Sequence, residues 1–329
     1  WLEQSLQADV YTGVFRGAIE PELIEEISNV AGVIEVSTSR RSSIEEVTGR
    51  TQLLAIRMAP GGYAGTALLD GNPDEVWAAW ENEPAVLVSE PYAYRNRVVP
   101  GDSITLPTST GNQAFRIAAR YQSYDVNASA VLMSRANYDR YFDDAGVDTL
   151  GLYLADDASV DEVIARVIAI SEGRQRLRID SNVRIRDLSL EIFDQTFIIT
   201  DVLYWLALGV AFVGILGAML ALQLERAREF ATLRALGMTP GQVGGMVTVQ
   251  TGVMGVLSGA AAIPLGVIMA WVLIKVINRR AFGWQIDMSV APGILVSALA
   301  FATLASLLAG LYPAWRAAQS RPAIVMREE

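Results

Sequence analysis

The 329-residue chain has no cysteine, no histidine and a single lysine, Lys275. Without cysteine there is neither a disulfide nor a thiol nucleophile. Without histidine as well, zinc sites of the usual ligand set and Ser-His-Asp triads are excluded. Val276 follows the lone lysine, so no G-x-x-x-x-G-K-[ST] loop exists and the chain holds no Walker motif for ATP. Asp143, Asp144, Asp148, Asp156 and Asp157 lack the spacing and glycine of a calcium loop and read as a solvated acidic face. A formal net charge of −10 argues against nucleic acid as a partner, because phosphate binding needs clustered Lys and Arg. A membrane-anchored hydrolase would need an Asp/Glu acid–base pair, and nothing in the sequence marks one. The expectation is a chain with no catalytic, cofactor or metal residues.

What is present falls into two halves. Residues 1–190 carry 17 Arg against 28 Asp plus Glu, a net of −11. Residues 191–329 carry 9 basic against 8 acidic groups and nearly all the long apolar runs. The first half is predicted to be an acidic soluble domain and the second a membrane domain. Val202 to Leu222 has no charge, and none appears between Gly241 and Ile274. Crossing a hydrocarbon core about 30 Å thick takes roughly 20 helical residues. Spans are therefore placed at about 198–222, 243–277 and 290–311, with a link at 225–242 and a tail at 312–329. Asp194 and Asp201 precede the first apolar core and read as helix-start residues lying above the membrane. The second run is too long by roughly 20 Å, so it must tilt, protrude or bend, and Pro264 supplies a bend point. Gly255 and Gly259 form a small-residue face for close packing on a helix the sequence does not identify.

Arginines set the orientation. Arg226, Arg228 and Arg234 in the link and Arg316, Arg321 and Arg327 in the tail outnumber Lys275, Arg279 and Arg280 on the other side. That bias puts link and tail in the cytoplasm and residues 1–190 outside. Trp1-Leu2-Glu3-Gln4 has neither a basic nor an apolar region, so an outer domain calls for a span upstream of Trp1. The chain is expected to be a fragment, or the second half of a longer polypeptide, with Trp1 at interfacial depth.

The link itself, ERAREFATLRALGMTPGQ over Glu225 to Gln242, has internal order. Ala227, Phe230, Ala231 and Leu233 or Arg234 recur at helical spacing, and Glu225/Arg228 and Arg226/Glu229 stand one turn apart, where they can pair. Gly237 falls where a left-handed cap ends a helix. Thr239 caps the next helix, Pro240 takes its first turn, and Gln242 completes a capping box. Phe230, Leu233 and Leu236 would face water unless something covers them, either a partner or the neighbouring spans.

In residues 1–190, Val10 to Phe15 alternates as a strand, and Leu23, Ile24, Ile27 and Val30 follow a helical period after Pro21. Val33 to Val36 follows as a strand, which makes a small α+β unit. Trp77 and Trp80, three apart on a short helix, read as packing anchors, and Pro60-Gly61-Gly62-Tyr63 as a turn.

The link run R-x-x-E-F-A-T-L-R-A-L-G-M-T-P-G-Q-V resembles the cytoplasmic link of FtsX-like permeases, the MacB/lipoprotein-release superfamily of ABC transporters. Tyr312-Pro313-Ala314-Trp315-Arg316-Ala317-Ala318, continuing to Pro322 and Met326-Arg327-Glu328, resembles the C-terminal signature of that family. V-L-V-S-E-P-Y-A-Y-R-N-R-V-V-P-G-D-S-I-T-L resembles its extracytoplasmic domain, and the continuation looks most like the second repeat of the long, two-repeat permeases. The resemblance implies an α+β extracytoplasmic domain, with porter-like βαβ units and a β-rich part, joined to an all-α transmembrane bundle in a bacterial inner membrane. It implies a non-catalytic permease subunit coupled to a cytoplasmic ABC ATPase dimer, with ATP and magnesium bound by that partner and no cofactor in this chain. Arg226, Glu229, Phe230, Leu233, Arg234, Leu236, Gly237 and Thr239 would then form the ATPase contact. The implied work is export, extraction or release of a lipid, lipoprotein or peptide, with membrane lipid and a periplasmic or lipoprotein component as further partners. The alternative within the resemblance is an FtsX-like regulator of an extracytoplasmic cell-wall enzyme.

Overall fold

The structure, a computed structural model, describes residues 6–46, 49–123, 129–284 and 288–319. Trp1 and the tail residues Arg321, Pro322, Met326, Arg327 and Glu328 lie outside the described residues. Contacts divide the chain into one unit of residues 1–193 with 278–285 and a second of 194–277 with 286–329.

The first unit opens with β1 (Val10–Gly13), α1 (Pro21–Ser28), β2 (Val33–Glu46) and β3 (Gly49–Arg57). After a 3-10 turn at Pro60–Gly65 come α2 (Pro73–Asn82), β4 (Ala85–Ser89), α3 (Glu90–Asn96), β5 (Ser103–Thr108) and β6 (Gly111–Tyr121). Next are β7 (Ala130–Ser134), α4 (Arg135–Tyr141), β8 (Thr149–Leu154), α5 (Val160–Ser171) and β9 (Arg178–Ser181). They build one nine-stranded sheet in the order β5-β6-β4-β7-β3-β2-β8-β1-β9.

The order resolves into a frame and an insertion. β1-α1-β2 and β8-α5-β9 are two strand–helix–strand units whose strands interleave as β2-β8-β1-β9, each neighbour antiparallel. This is the ferredoxin-like split βαβ arrangement. Pro21 at the first turn of α1 and the Ser159 cap on α5 fix where the two helices start. Their apolar positions Leu23, Ile27, Val163 and Val167 close over Val10, Leu150 and Leu152 in one core. Between β2 and β8 the chain adds the remaining five strands, with β3/β7 and β4/β6 parallel. Two strand-to-helix corners repeat there. Ser89 and Ser134 each end a wholly buried strand and accept the backbone N–H three residues on, at 3.3 Å in both cases. Trp80 is buried and donates its indole N–H to the Leu132 carbonyl at 3.0 Å, edge-on to Trp77, so it serves packing. Burial and a hydrogen bond to Glu81 push the Tyr63 phenol beside Trp77 up to about 12.

After β9 the chain turns straight into α6 (Asn182–Glu225), a helix of 44 residues that starts well before the span placed at about 198–222. At about 1.5 Å per residue it is roughly twice as long as a hydrocarbon core is thick. Its first three turns alternate apolar with polar residues, Val183 and Ile185, then Leu188, Leu190 and Ile192, a spacing closer to that of a strand than of a helix. Asp194 and Asp201 therefore lie inside a running helix and not at its start.

The second unit continues with α7 (Ala227–Ala235), α8 (Pro240–Trp271) and, after residues 272–291, α10 (Pro292–Gln319). The intervening α9 (Arg279–Phe282) belongs to the first unit. Among the described residues, three stretches are long and apolar enough to cross a membrane: Ile198–Leu222, Pro240–Phe282 and Pro292–Tyr312. The helix runs through Pro264 in α form, and its winding changes eight residues later, in a π segment over Val272–Asn278. Helical hydrogen bonding carries α10 to Gln319, so the first residues of the tail are helical.

Candidate functional site

The link joins α6 to α8 through three local devices. At Arg226, with φ −97 and ψ 10, the helix is interrupted for one residue, and Arg226 N–H bonds the Leu222 carbonyl while Phe230 N–H bonds that of Arg226, both at 3.1 Å. At the end of α7, Gly237 takes φ +104, and its N–H reaches the Arg234 carbonyl at 3.1 Å while Met238 N–H reaches that of Leu233 at 3.1 Å. These are the two bonds of a Schellman motif, and Met238 packs in the same cluster as Leu233, as the motif's apolar contact requires. No atom lies within 4 Å of where a Gly237 side chain would start, so backbone conformation alone demands the glycine. Thr239 then accepts from Gln242 N–H at 3.3 Å, and the Gln242 side chain accepts from Thr239 N–H at 2.9 Å, which closes the capping box.

The aromatic residue of the link faces inward. Phe230 is 5% exposed and packs against Val243 and Val247 of α8, with Leu233 partly buried beside it. The chain thus covers these two side chains itself. Leu236 remains 80% exposed. Glu225, Arg226, Arg228 and Glu229 are exposed, and among the described residues no ion pair joins them, contrary to the pairing that their spacing allowed. Such exposed pairs are worth only about 0–1 kcal/mol, too little to hold two long side chains in one geometry. Arg234 is half-buried and Thr239 exposed. The link is therefore a folded helical corner with an apolar inner seam and an outer surface of four unpaired charges and one leucine.

The small-residue face has a partner. A Cβ at Gly255 would lie 2.7 Å from Ser306 Cβ, and one at Gly259 would lie 2.8 Å from Leu299 Cδ1, so α8 and α10 approach at backbone contact. Gly310, which no motif marks, receives Thr251 in the same way at 2.6 Å. Ser306 donates to the Thr251 carbonyl at 2.8 Å and binds the seam with a buried hydrogen bond. Pro264 is exposed. Among the described residues no group of His, Cys, Asp and Glu could hold a metal ion.

Residues 202–322 match the family described as FtsX-like permease C-terminal. The whole chain is 35% identical over 340 residues to an uncharacterized ABC transporter permease protein of Mycobacterium tuberculosis, of which it covers 40%. It is 25% identical over 146 residues to the lipoprotein-releasing system transmembrane protein LolC of Xylella fastidiosa, covering 40% of this chain and 35% of that one. The chain thus spans about two fifths or less of these relatives' lengths. The periplasmic region of MacB from Actinobacillus actinomycetemcomitans aligns with 57% of this chain and 94% of its own, at 11% identity and a TM-score of 0.40.

Proposed function

We propose that the chain is an FtsX-like ABC transporter permease, on the match of residues 202–322 and the 35% identity to the mycobacterial permease protein, and that its link takes the push of a cytoplasmic ATPase dimer and passes it to the extracytoplasmic unit. The observation that carries this reading is the link. It is held by a capping box, a Schellman turn and the Phe230 seam, while Arg226, Arg228, Glu229 and Leu236 stay uncovered on its outside. A corner of that kind resists bending, so a force on α7 reaches α6 and α8 together. Both helices run on past the length a membrane needs, and α6 begins directly at β9 of the sheet. The contact residues are Arg226, Glu229, Arg234 and Leu236, with Gly237 and Thr239 fixing the corner and Phe230 and Leu233 stiffening it from within. The work done outside is the extraction or release of a hydrophobic substrate of the lipid, lipoprotein or peptide class. The apolar lining between α8 and α10, from Gly259, Ile263 and Val267 across to Leu295, Ala298 and Ala302, supports that over a solute channel. The 40% coverage of the mycobacterial relative supports a permease in which this chain is one of two repeats, and the arginine bias of link and tail supports an inner membrane with residues 1–190 outside.

The test is gentle extraction of the full-length protein followed by native mass spectrometry. Two nucleotide-binding subunits on one permease chain are expected. Two permease chains per ATPase pair would discard the two-repeat reading, and an intact, folded permease with no ATPase would overturn the coupling role.

A further inference from the structure

The first unit is acidic, yet one cleft on it is basic. A cavity of about 500 Å³ is lined by Glu90, Tyr94, Arg95, Arg97, Arg120 and Arg279, four cations against one anion. Arg120 is held by Asp70 through two bonds of 2.8 Å, which neutralise it. Arg95 and Arg97 are exposed and make no ion pair among the described residues. Arg97 holds φ +56, the sole positive φ of a non-glycine residue among the described residues, and this left-handed cap of α3 fixes its backbone on the cleft.

The cleft is completed by the segment that leaves the second span. Gly283 takes φ +82, and a Cβ there would lie 2.8 Å from Pro91 Cα, so only glycine lets the segment close on α3. The Arg279 guanidinium sits over the Tyr94 ring at 5.3 Å. Arg279 is four residues past Lys275, the first charge after the uncharged run from Gly241 to Ile274. A cation at the end of such a run stands at headgroup depth. Arg279 therefore fixes the level of the cleft: it opens where phosphates of the outer leaflet lie. Guanidinium groups bind phosphate through paired, directed hydrogen bonds.

We propose that this cleft binds the phosphate of an anionic phospholipid headgroup, and so ties α3 and the end of the second span to the outer leaflet through one lipid. The proposal needs only that Pro240–Phe282 crosses a membrane. It does not depend on the transporter reading, so loss of the ATPase partner would leave it standing.

The experiment uses the full chain in nonionic detergent, titrated with short-chain phosphatidylglycerol, with phosphatidylcholine and with inorganic phosphate, and bound lipid read by native mass spectrometry. Phosphatidylglycerol is expected to bind in preference to phosphatidylcholine. Arg95→Gln with Arg97→Asn, the asparagine chosen because it tolerates positive φ, should weaken it by about fivefold per arginine. Arg16→Gln, an exposed site elsewhere on the unit, should leave the affinity unchanged. Arg95→Gln alone, on an exposed helical position, gives a separate reading should the double variant misfold, with about a fivefold loss expected. Equal binding of the two lipids, or an unchanged affinity in either variant, would overturn the site. Displacement by inorganic phosphate at the lipid's own concentration would overturn the lipid assignment in favour of soluble phosphate.

Discussion

The two units are held together in different ways. The first has a core built around large buried side chains, Trp80, Phe115, Tyr138 and Met133 among them, locked by long-range bonds such as Trp80 to Leu132 and Asn137 to Glu83. In the second, outside the Phe230 seam with Val243 and Val247, the helix contacts of α8 and α10 run through glycine, serine, threonine and alanine, at Gly255, Gly259, Thr251, Ser306 and Ala309, while Val210, Leu257, Ile268 and Leu304 point outward. Water drives the first pattern, since each large apolar side chain removed from it contributes about 1.5–3 kcal/mol. In a hydrocarbon solvent that gain vanishes, and close backbone approach is what holds helices together. The link and the α6 start are where the one rule gives way to the other.

Substitutions can break this contrast, and the largest effect is expected at Trp80. Trp80→Ala removes a filled core position and the indole bond to the Leu132 carbonyl, for a loss of about 3–5 kcal/mol measured by denaturant unfolding of the full chain in detergent. Gly255→Leu should cost about 1–3 kcal/mol in detergent thermal stability, because the new side chain starts inside Ser306. Gly266→Leu, where no atom lies within 4 Å, should cost far less, and equal losses at the two glycines would dissolve the contrast. Gly237→Ala should cost about 1–2 kcal/mol through its positive φ alone.

The smallest effect concerns Asp70. The Arg120 guanidinium holds its carboxyl below the usual carboxylate range. A depressed folded-state pKa adds stability that is present above the unfolded value near 3.8 and is lost as pH falls through the folded one. Asp70→Asn should therefore cost up to about 1 kcal/mol at pH 7 and progressively less as the pH is lowered below the unfolded value, read from unfolding curves across that range.

How much of this was legible in the sequence depended on chain distance. The Gly237 cap and the Thr239–Gln242 box are written in residues within three or four of each other, and the structure forms both. The apolar runs marked the three helical stretches long and apolar enough to cross a membrane, because solvent selects composition over some twenty residues. What the sequence hid was non-local or ambiguous in spacing. The first turns of α6 alternate apolar with polar residues nearly as a strand does, so its origin at Asn182 was missed. Phe230 looked uncovered because Val243 and Val247 approach it only after the chain turns at Gly237. Gly310 meets Thr251 and Arg279 meets Tyr94 across separations that no spacing rule reaches.

The central claim is that the outer surface of the link is an ATPase contact, and Leu236 tests it most directly. At 80% exposure, Leu236→Asp should leave stability within about 0.5 kcal/mol, so a lost complex cannot be blamed on misfolding. Native mass spectrometry of the full-length protein carrying Leu236→Asp, extracted alongside the unaltered one, is the measurement. Expected is a folded permease stripped of its nucleotide-binding subunits. Retention of those subunits at the unaltered stoichiometry would contradict the claim.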